Sequence, residues 1–150
     1  MTTTHIHEQP TLEEIRLLLK THKLRATSSR IAVMMAMHEH KAPMTHEEVM
    51  QALSKSATFD KASIWRVLAN LSDSGLLIRM DLGDRVWRYE LIDACRAIAD
   101  NHAHFLCEGC GWVSCLPPVS LGINGPLPKS LEGVDLKIRV TGECNTCSNA

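Results

Sequence analysis

Two Cys-x-x-C pairs, Cys107 with Cys110 and Cys144 with Cys147, stand with 33 residues between them in a chain of 150. They constrain what this chain can fold into more than any other feature. Two intervening residues let both sulfurs of a pair turn toward one point, and two such pairs complete a tetrahedron, so zinc is the expected occupant. Four thiolates close the coordination sphere, which makes the site structural: neither water nor substrate can reach the ion without displacing a ligand. Zinc binding contributes about 10 to 16 kcal/mol of apparent free energy in small zinc modules. That is enough to hold together a C-terminal half too short to depend on its own core, and loss of Cys107 or Cys144 should unfold it.

All six cysteines lie between Cys95 and Cys147. This shift of composition near residue 92 predicts two small domains, residues 1–92 and 93–150. With 45% hydrophobic and 22% charged residues the chain has what a folded protein needs. It contains no run of 18 apolar residues, and "MTTTHIHEQPTLEE" has neither the basic stretch nor the apolar segment of a signal peptide, so a cytoplasmic protein with no membrane partner is expected. In that reducing setting the cysteines read as metal or thiol chemistry rather than a disulfide framework. Cys115, in a strand-like stretch, is expected to be a small buried residue. Cys95 follows a hairpin directly, where it is a possible extra ligand for a second metal.

Four helices and a hairpin can be argued in the first half. Thr11 with Glu14 and Thr45 with Glu48 each form a capping box, in which side chains satisfy orphan backbone N–H groups. The first starts a helix with Leu12, Ile15, Leu18 and Leu19 on its apolar stripe, and the second a helix through Val49 and Leu53. Between them "SRIAVMMAMH" predicts a helix from about Ser28 to His38 whose Ile31, Met34, Met35 and Met37 are core filler. The fourth, "DKASIWRVLANLSDSG", has Asp60 as N-cap and Gly75 as stop. Its Ile64, Val67, Leu68 and Leu71 share one face and Lys61, Trp65, Arg66 and Asn70 the other. Two strands, "LLIRM" and "VWRYEL", flank a "DLGD" turn. Three helices, a fourth with a polar and aromatic outer face, and a hairpin make a winged helix.

A net charge of -1 does not announce a nucleic-acid partner, but charge can be local. "KTHKLRATSSR" carries Lys20, Lys23, Arg25 and Arg30 with no acid among them, a cluster suited either to phosphates or to a solvated helix end.

The second half reads as strand-rich, with "HAHFLC", "WVSCL" and "LKIRVT" around a Pro/Gly-rich loop, and so as an all-β or mixed α/β module. His102 and His104, two apart in a strand, project from one face, a geometry that suits chelation. Glu90 ends the hairpin and His46 lies in the first turn of helix three. If the domains fold back on each other, these four could meet around one ion.

The order of "LRATSSRIAVMMAM", "MTHEEVMQAL", "FDKASIWRVLANLSDSGLL", "YEL", "HAHFLCEGCGWV" and "CNTC" resembles the ferric uptake regulator (Fur) family over about residues 12 to 147. "SIWRVL" looks like that family's Ala-Thr-Val-Tyr-Arg motif, and "HAHFLCEGCG" like its His-x-His-Phe-Leu-Cys-x-x-Cys-Gly segment. The resemblance implies an α/β protein: an N-terminal winged-helix DNA-binding domain, then a small α/β dimerisation domain with a structural zinc site. It gives the zinc to Cys107, Cys110, Cys144 and Cys147, and a regulatory divalent ion to Glu90, His102 and His104. Trp65 and Arg66 fall on the DNA-reading pair, with Arg25, Arg30, Lys61 and Ser63 as further DNA contacts. Three departures stand out. The histidine usual before helix three is Pro43, with His46 three residues later inferred as the fourth ligand. Ala103 separates the strand histidines where Asp is common. No histidine follows His104, so no additional site in the dimerisation domain is expected.

A metal-dependent transcription regulator is therefore expected, a homodimeric repressor bound to a roughly palindromic duplex operator, with Zn2+ in the structural site and Zn2+, Fe2+ or Mn2+ in the regulatory one. Rival readings are a zinc-stabilised interaction module without a DNA role and a zinc hydrolase or deaminase. The latter needs an open coordination position and a His-x-Glu motif, where this chain has His-Ala-His; no enzyme is expected.

Overall fold

In the computed structural model, residues 9–40, 42–92, 103–117, 119–120, 122–134 and 138–149 are described. The chain divides into two compact units, residues 1–97 and 98–150.

The first unit begins with α1 (Leu12–Thr21), α2 (Ser28–His40), a short β1 (Met44–Thr45), α3 (His46–Leu53) and α4 (Lys61–Asp73). Both expected capping boxes form. Glu14 N–H donates to Thr11 Oγ1 (3.2 Å) while Thr11 N–H donates to Glu14 Oε2 (2.7 Å), and Thr45 and Glu48 repeat the exchange at 3.1 and 2.7 Å. Asp60 caps α4 by accepting Ser63 N–H at 2.9 Å. The far end of α4 is closed by a Schellman turn: Gly75 adopts φ +78°, Gly75 N–H reaches Ser72 O and Leu76 N–H reaches Leu71 O. Lys23 makes the same turn after α1 with φ +59°, in the region where L-residues other than Asn and Asp are strained.

The apolar faces of these helices converge. Ile15, Leu19, Val33, Met34, Met37, Val49, Leu53, Ile64, Leu68 and Leu71 are all buried in one cluster. Four expected core residues fall outside it: Leu18 and Ile31 are partly buried against the cluster, Leu12 sits at the exposed start of α1, and Met35 lies on the outer side of α2, one step off the stripe that Met34 and Met37 occupy. The hairpin strands β2 (Leu77–Asp81) and β3 (Trp87–Leu91) pair antiparallel, and β1 adds itself to the other edge of β3, giving the order β1-β3-β2. At the hairpin tip Asp81 Oδ1 accepts the N–H groups of Gly83 (2.7 Å) and Arg85 (3.2 Å), while the Arg88 guanidinium donates to both Asp84 oxygens at 2.9 and 2.8 Å. Both wing acids are thus engaged in local bonds. On the outer face the Arg79 guanidinium lies 3.7 Å above the Trp87 ring.

The second unit is a three-stranded sheet in the order β5-β4-β6, with β4 (His104–Cys107) antiparallel to β5 (Val113–Cys115) and parallel to β6 (Val140–Gly142). Among the described residues it also has a 3-10 turn (Lys129–Leu131) and a short helix α5 (Asn145–Ser148). Of the described residues of "LKIRVT", Val140 and Thr141 join the sheet. Among the described residues its buried apolar set is Leu106, Cys107 and Val113, far less than the first unit assembles.

Candidate metal centre and nucleic-acid interface

The parallel pairing of β4 and β6 explains how cysteines so far apart in sequence meet. Cys107 lies opposite Gly142, and Glu108 N–H donates to Gly142 O at 2.8 Å, so both strands leave the sheet at the same end. The 107–110 turn follows one strand directly. Cys144 follows the other by two residues and caps α5, which carries Cys147. The four Sγ atoms all lie within 4.8 Å of one another, and Cys110 Sγ is 3.8 Å from Cys144 Sγ. A tetrahedron with metal–sulfur bonds of about 2.3 Å has sulfur–sulfur edges of about 3.8 Å, so the cluster is sized for zinc.

The surroundings prepare the thiolates. Cys144 N–H donates to Cys107 Sγ at 3.3 Å, and this bond, with that from the Cys110 amide, brings the Cys107 thiol down to about 6. Cys147, crowded by the thiols of Cys110, Cys144 and Cys107, is pushed up to about 12. Four anionic sulfurs at this spacing repel one another, and a divalent cation is the counter-charge that lets them coexist. Gly109 sits against Cys147 with no room for a side chain.

The remaining expected ligands are distributed as follows. His104 begins β4 and is paired across the sheet with Cys115 of β5, their ligand atoms within 4.8 Å. Sequence reasoning placed Cys115 only as a buried residue. The structure leaves it half-buried at a strand edge beside an imidazole, and the signal that could have found it was its register with His104 across the 107–112 turn. His102 and Cys95 lie outside the described residues. Glu90 is buried in β3 opposite Ile78.

His46, at the first position of α3, is 6% exposed. It donates Nε2–H to the Lys61 carbonyl at 3.2 Å, and its ring stacks on the Trp65 indole at 4.4 Å with planes 11° apart. One nitrogen is committed to α4 and one ring face is covered by Trp65.

The α4 residues behave as their spacing predicts. With Ile64, Val67, Leu68 and Leu71 buried, Lys61, Trp65, Arg66 and Asn70 form an exposed strip along the helix, Trp65 being 42% exposed. Ser63 is tied into the cap, its hydroxyl donating to the Asp60 carboxylate, and that bond holds Asp60 below the usual carboxylate range. Arg30 bridges elements: its guanidinium donates to Arg25 O (2.8 Å) and to Asn70 Oδ1 (3.2 Å), fastening the start of α2 to the outer face of α4. Arg25 is exposed.

This architecture has known relatives. Structures that match it include the Vibrio cholerae ferric uptake regulator (TM-score 0.63, 19% identity, 86% of this chain and 98% of that one) and a zinc-bound manganese uptake regulator (TM-score 0.64, 20% identity, 90% and 99%). In sequence, the transcriptional regulator FurA of Mycobacterium tuberculosis is 31% identical over 98 residues, 64% of this chain and 62% of FurA. The match thus spans less than two thirds of that relative. The peroxide-responsive repressor PerR of Staphylococcus epidermidis is 26% identical over 140 residues, 91% of this chain and 89% of PerR. The model of the ferric uptake regulator family matches residues 21–117, well over half of the sequence. The winged helix, the four-cysteine cluster and this match agree: the chain belongs to the ferric uptake regulator family.

Proposed function

We propose that the protein is a metal-dependent DNA-binding transcription regulator, a repressor of metal-homeostasis or oxidative-stress genes, acting as a homodimer on a roughly palindromic duplex. The observation that carries this reading is the strip of Lys61, Trp65, Arg66 and Asn70 left exposed on the fourth helix of a winged helix. Arg66 can donate two hydrogen bonds to guanine O6 and N7, and Trp65 can cover a thymine methyl, each good bidentate contact contributing about 1 to 3 kcal/mol of discrimination. Lys61 and Arg25 suit phosphates, which set register without reading sequence. Arg30 and Ser63 serve this face indirectly, one orienting Asn70 and the other completing the cap. Exposed apolar side chains on the second unit, Trp112, Ile123, Val134 and Ile138 among them, fit the face of a second copy.

Cys107, Cys110, Cys144 and Cys147 hold the structural zinc in this reading. The regulatory ion is assigned to His104 and Cys115, with His102 and Glu90 as the resemblance implies. A bound cation supplies positive charge that fixes its ligands in one arrangement. To convert a mostly inactive population into a mostly active one it needs about 5.5 kcal/mol of differential affinity between the two states. A thiolate beside an imidazole favours zinc over iron or manganese at this site. The relatives named as regulators and a repressor support a gene-regulatory, non-enzymatic role.

The test is selection of duplexes from a random library, followed by binding measured with and without added divalent metal and across salt. Metal-dependent, salt-sensitive binding to a palindrome, lost in Arg66→Ala, is the expected result. A protein that enriches no duplex under any metal condition is instead a zinc-stabilised interaction module. Metal content before and after a mild chelator wash should show one persistent zinc and one removable ion, the second missing in the double variant His104→Ala with Cys115→Ser.

A further inference from the structure

We infer that His46 is a positioning residue for base reading: it clamps Trp65 in the orientation in which the indole meets DNA and so sets how sharply α4 discriminates at that base pair. The inference rests on the DNA-binding reading above. A tryptophan on an exposed helix face has several open rotamers, and an indole that swings among them makes an indiscriminate contact. Here one is selected. The imidazole of His46 lies parallel to the indole at 4.4 Å, within the range of stacked aromatic pairs. The His46 ring is itself fixed three ways. It is almost wholly buried, its Nε2–H is bonded to the Lys61 carbonyl in the first turn of α4, and its backbone is locked by the Thr45–Glu48 capping box that starts α3.

The arrangement joins the beginnings of two helices. The bond to Lys61 fixes α4 relative to α3 at the residue where α4 begins, and the stack then fixes the side chain one turn further on. Trp65 thus has a stacked face turned to the protein, and enough of the indole remains exposed to meet a thymine methyl. The bond to Lys61 engages Nε2, so His46 could reach a metal ion only through Nδ1.

Two variants separate the two functions of the side chain. His46→Phe keeps a ring over Trp65 and loses the donor; His46→Gln keeps a donor near Lys61 and loses the ring. Both are measured by competition of the selected duplex against single-base variants, across salt, with metal content determined in parallel. A third readout is the fluorescence of Trp65 as the sole tryptophan, with Trp87→Phe and Trp112→Phe in the background. The expected result is about tenfold loss of discrimination at one base pair for His46→Gln, an unchanged salt slope because phosphate contacts are untouched, and a more mobile, red-shifted Trp65. His46→Phe should retain discrimination. Retained discrimination in His46→Gln, an equal loss in both variants, or loss of the chelator-removable ion from His46→Phe would each overturn the inference while wild-type DNA binding stood. If the wild type bound no duplex, the functional reading itself would fail, and this inference with it.

Discussion

A methyl group placed on Gly109 would lie 2.9 Å from Cys147 Sγ and 3.1 Å from its Cβ. The two Cys-x-x-C turns therefore interlock: the first is threaded so closely past the second that one of its two middle residues has to lack a side chain. Gly109→Ala should push Cys147 off the tetrahedron. Overpacking of this kind costs about 1 to 3 kcal/mol, so zinc should leave to a chelator roughly five- to hundredfold faster. Release followed with a chromogenic chelator measures it, and unchanged release would show that the turn can shift freely.

Stability should divide between the two units. The first has an extended buried cluster, the second mainly Leu106, Cys107 and Val113 among its described residues. Cys107→Ser, or stripping zinc, should abolish hydrogen-exchange protection in β4, β5 and β6 while α2 and α4 keep theirs. Protection retained in the second unit of zinc-free protein would contradict this.

The wing tip carries a pH signature. Arg88, bonded to Asp84, holds that carboxyl below the ordinary carboxylate range. A depressed folded-state pKa means that the stabilisation is present above the unfolded value, near 3.8, and fades as pH falls below that through the folded one. Between pH 5 and 8 the hairpin should be insensitive to pH. Asp84→Asn should cost about 1 to 2 kcal/mol at neutral pH, because Asp84 is partly exposed and Arg88 is not, and urea unfolding at pH 7 and pH 3 should show the difference shrinking in acid.

Lys23 offers a change of the opposite sign. It occupies the left-handed position that closes α1, at φ +59°. Lys23→Gly relieves about 1 to 2 kcal/mol of backbone strain and gives back part of it as unfolded-chain entropy. A net gain of about 0.5 to 1 kcal/mol is expected, read from the urea midpoint.

Much of the first unit was legible because its signals are local. Thr11 with Glu14, Thr45 with Glu48, Asp60 and Gly75 mark helix ends by side-chain chemistry that acts within four residues, and the structure uses each of them as expected. The α4 face could be read from period alone. What escaped was set by distant partners. A two-residue strand such as Met44–Thr45 exists only because Tyr89 and Arg88 lie beside it. Met35 and Leu12 carry the same hydrophobicity as their buried neighbours and differ only in which side the fold covers. The contact of His46 with Trp65 depends on an α3–α4 packing that no spacing announces. The neighbourhood of Cys115 followed from strand register, which needs the turn geometry as well as the pattern.

Because β4 and β6 run in the same direction, both halves of the cysteine clasp emerge at one end of the sheet; β5 makes the return journey, and the chain between Cys115 and Val140 needs only to link β5 to β6. Its length is then close to free: doubling a flexible loop costs only about 0.6 kcal/mol of closure entropy. The middle of this link, exposed along 125–132, is where the protein can accept a peptide tag or a fluorophore with its metal clasp still shut.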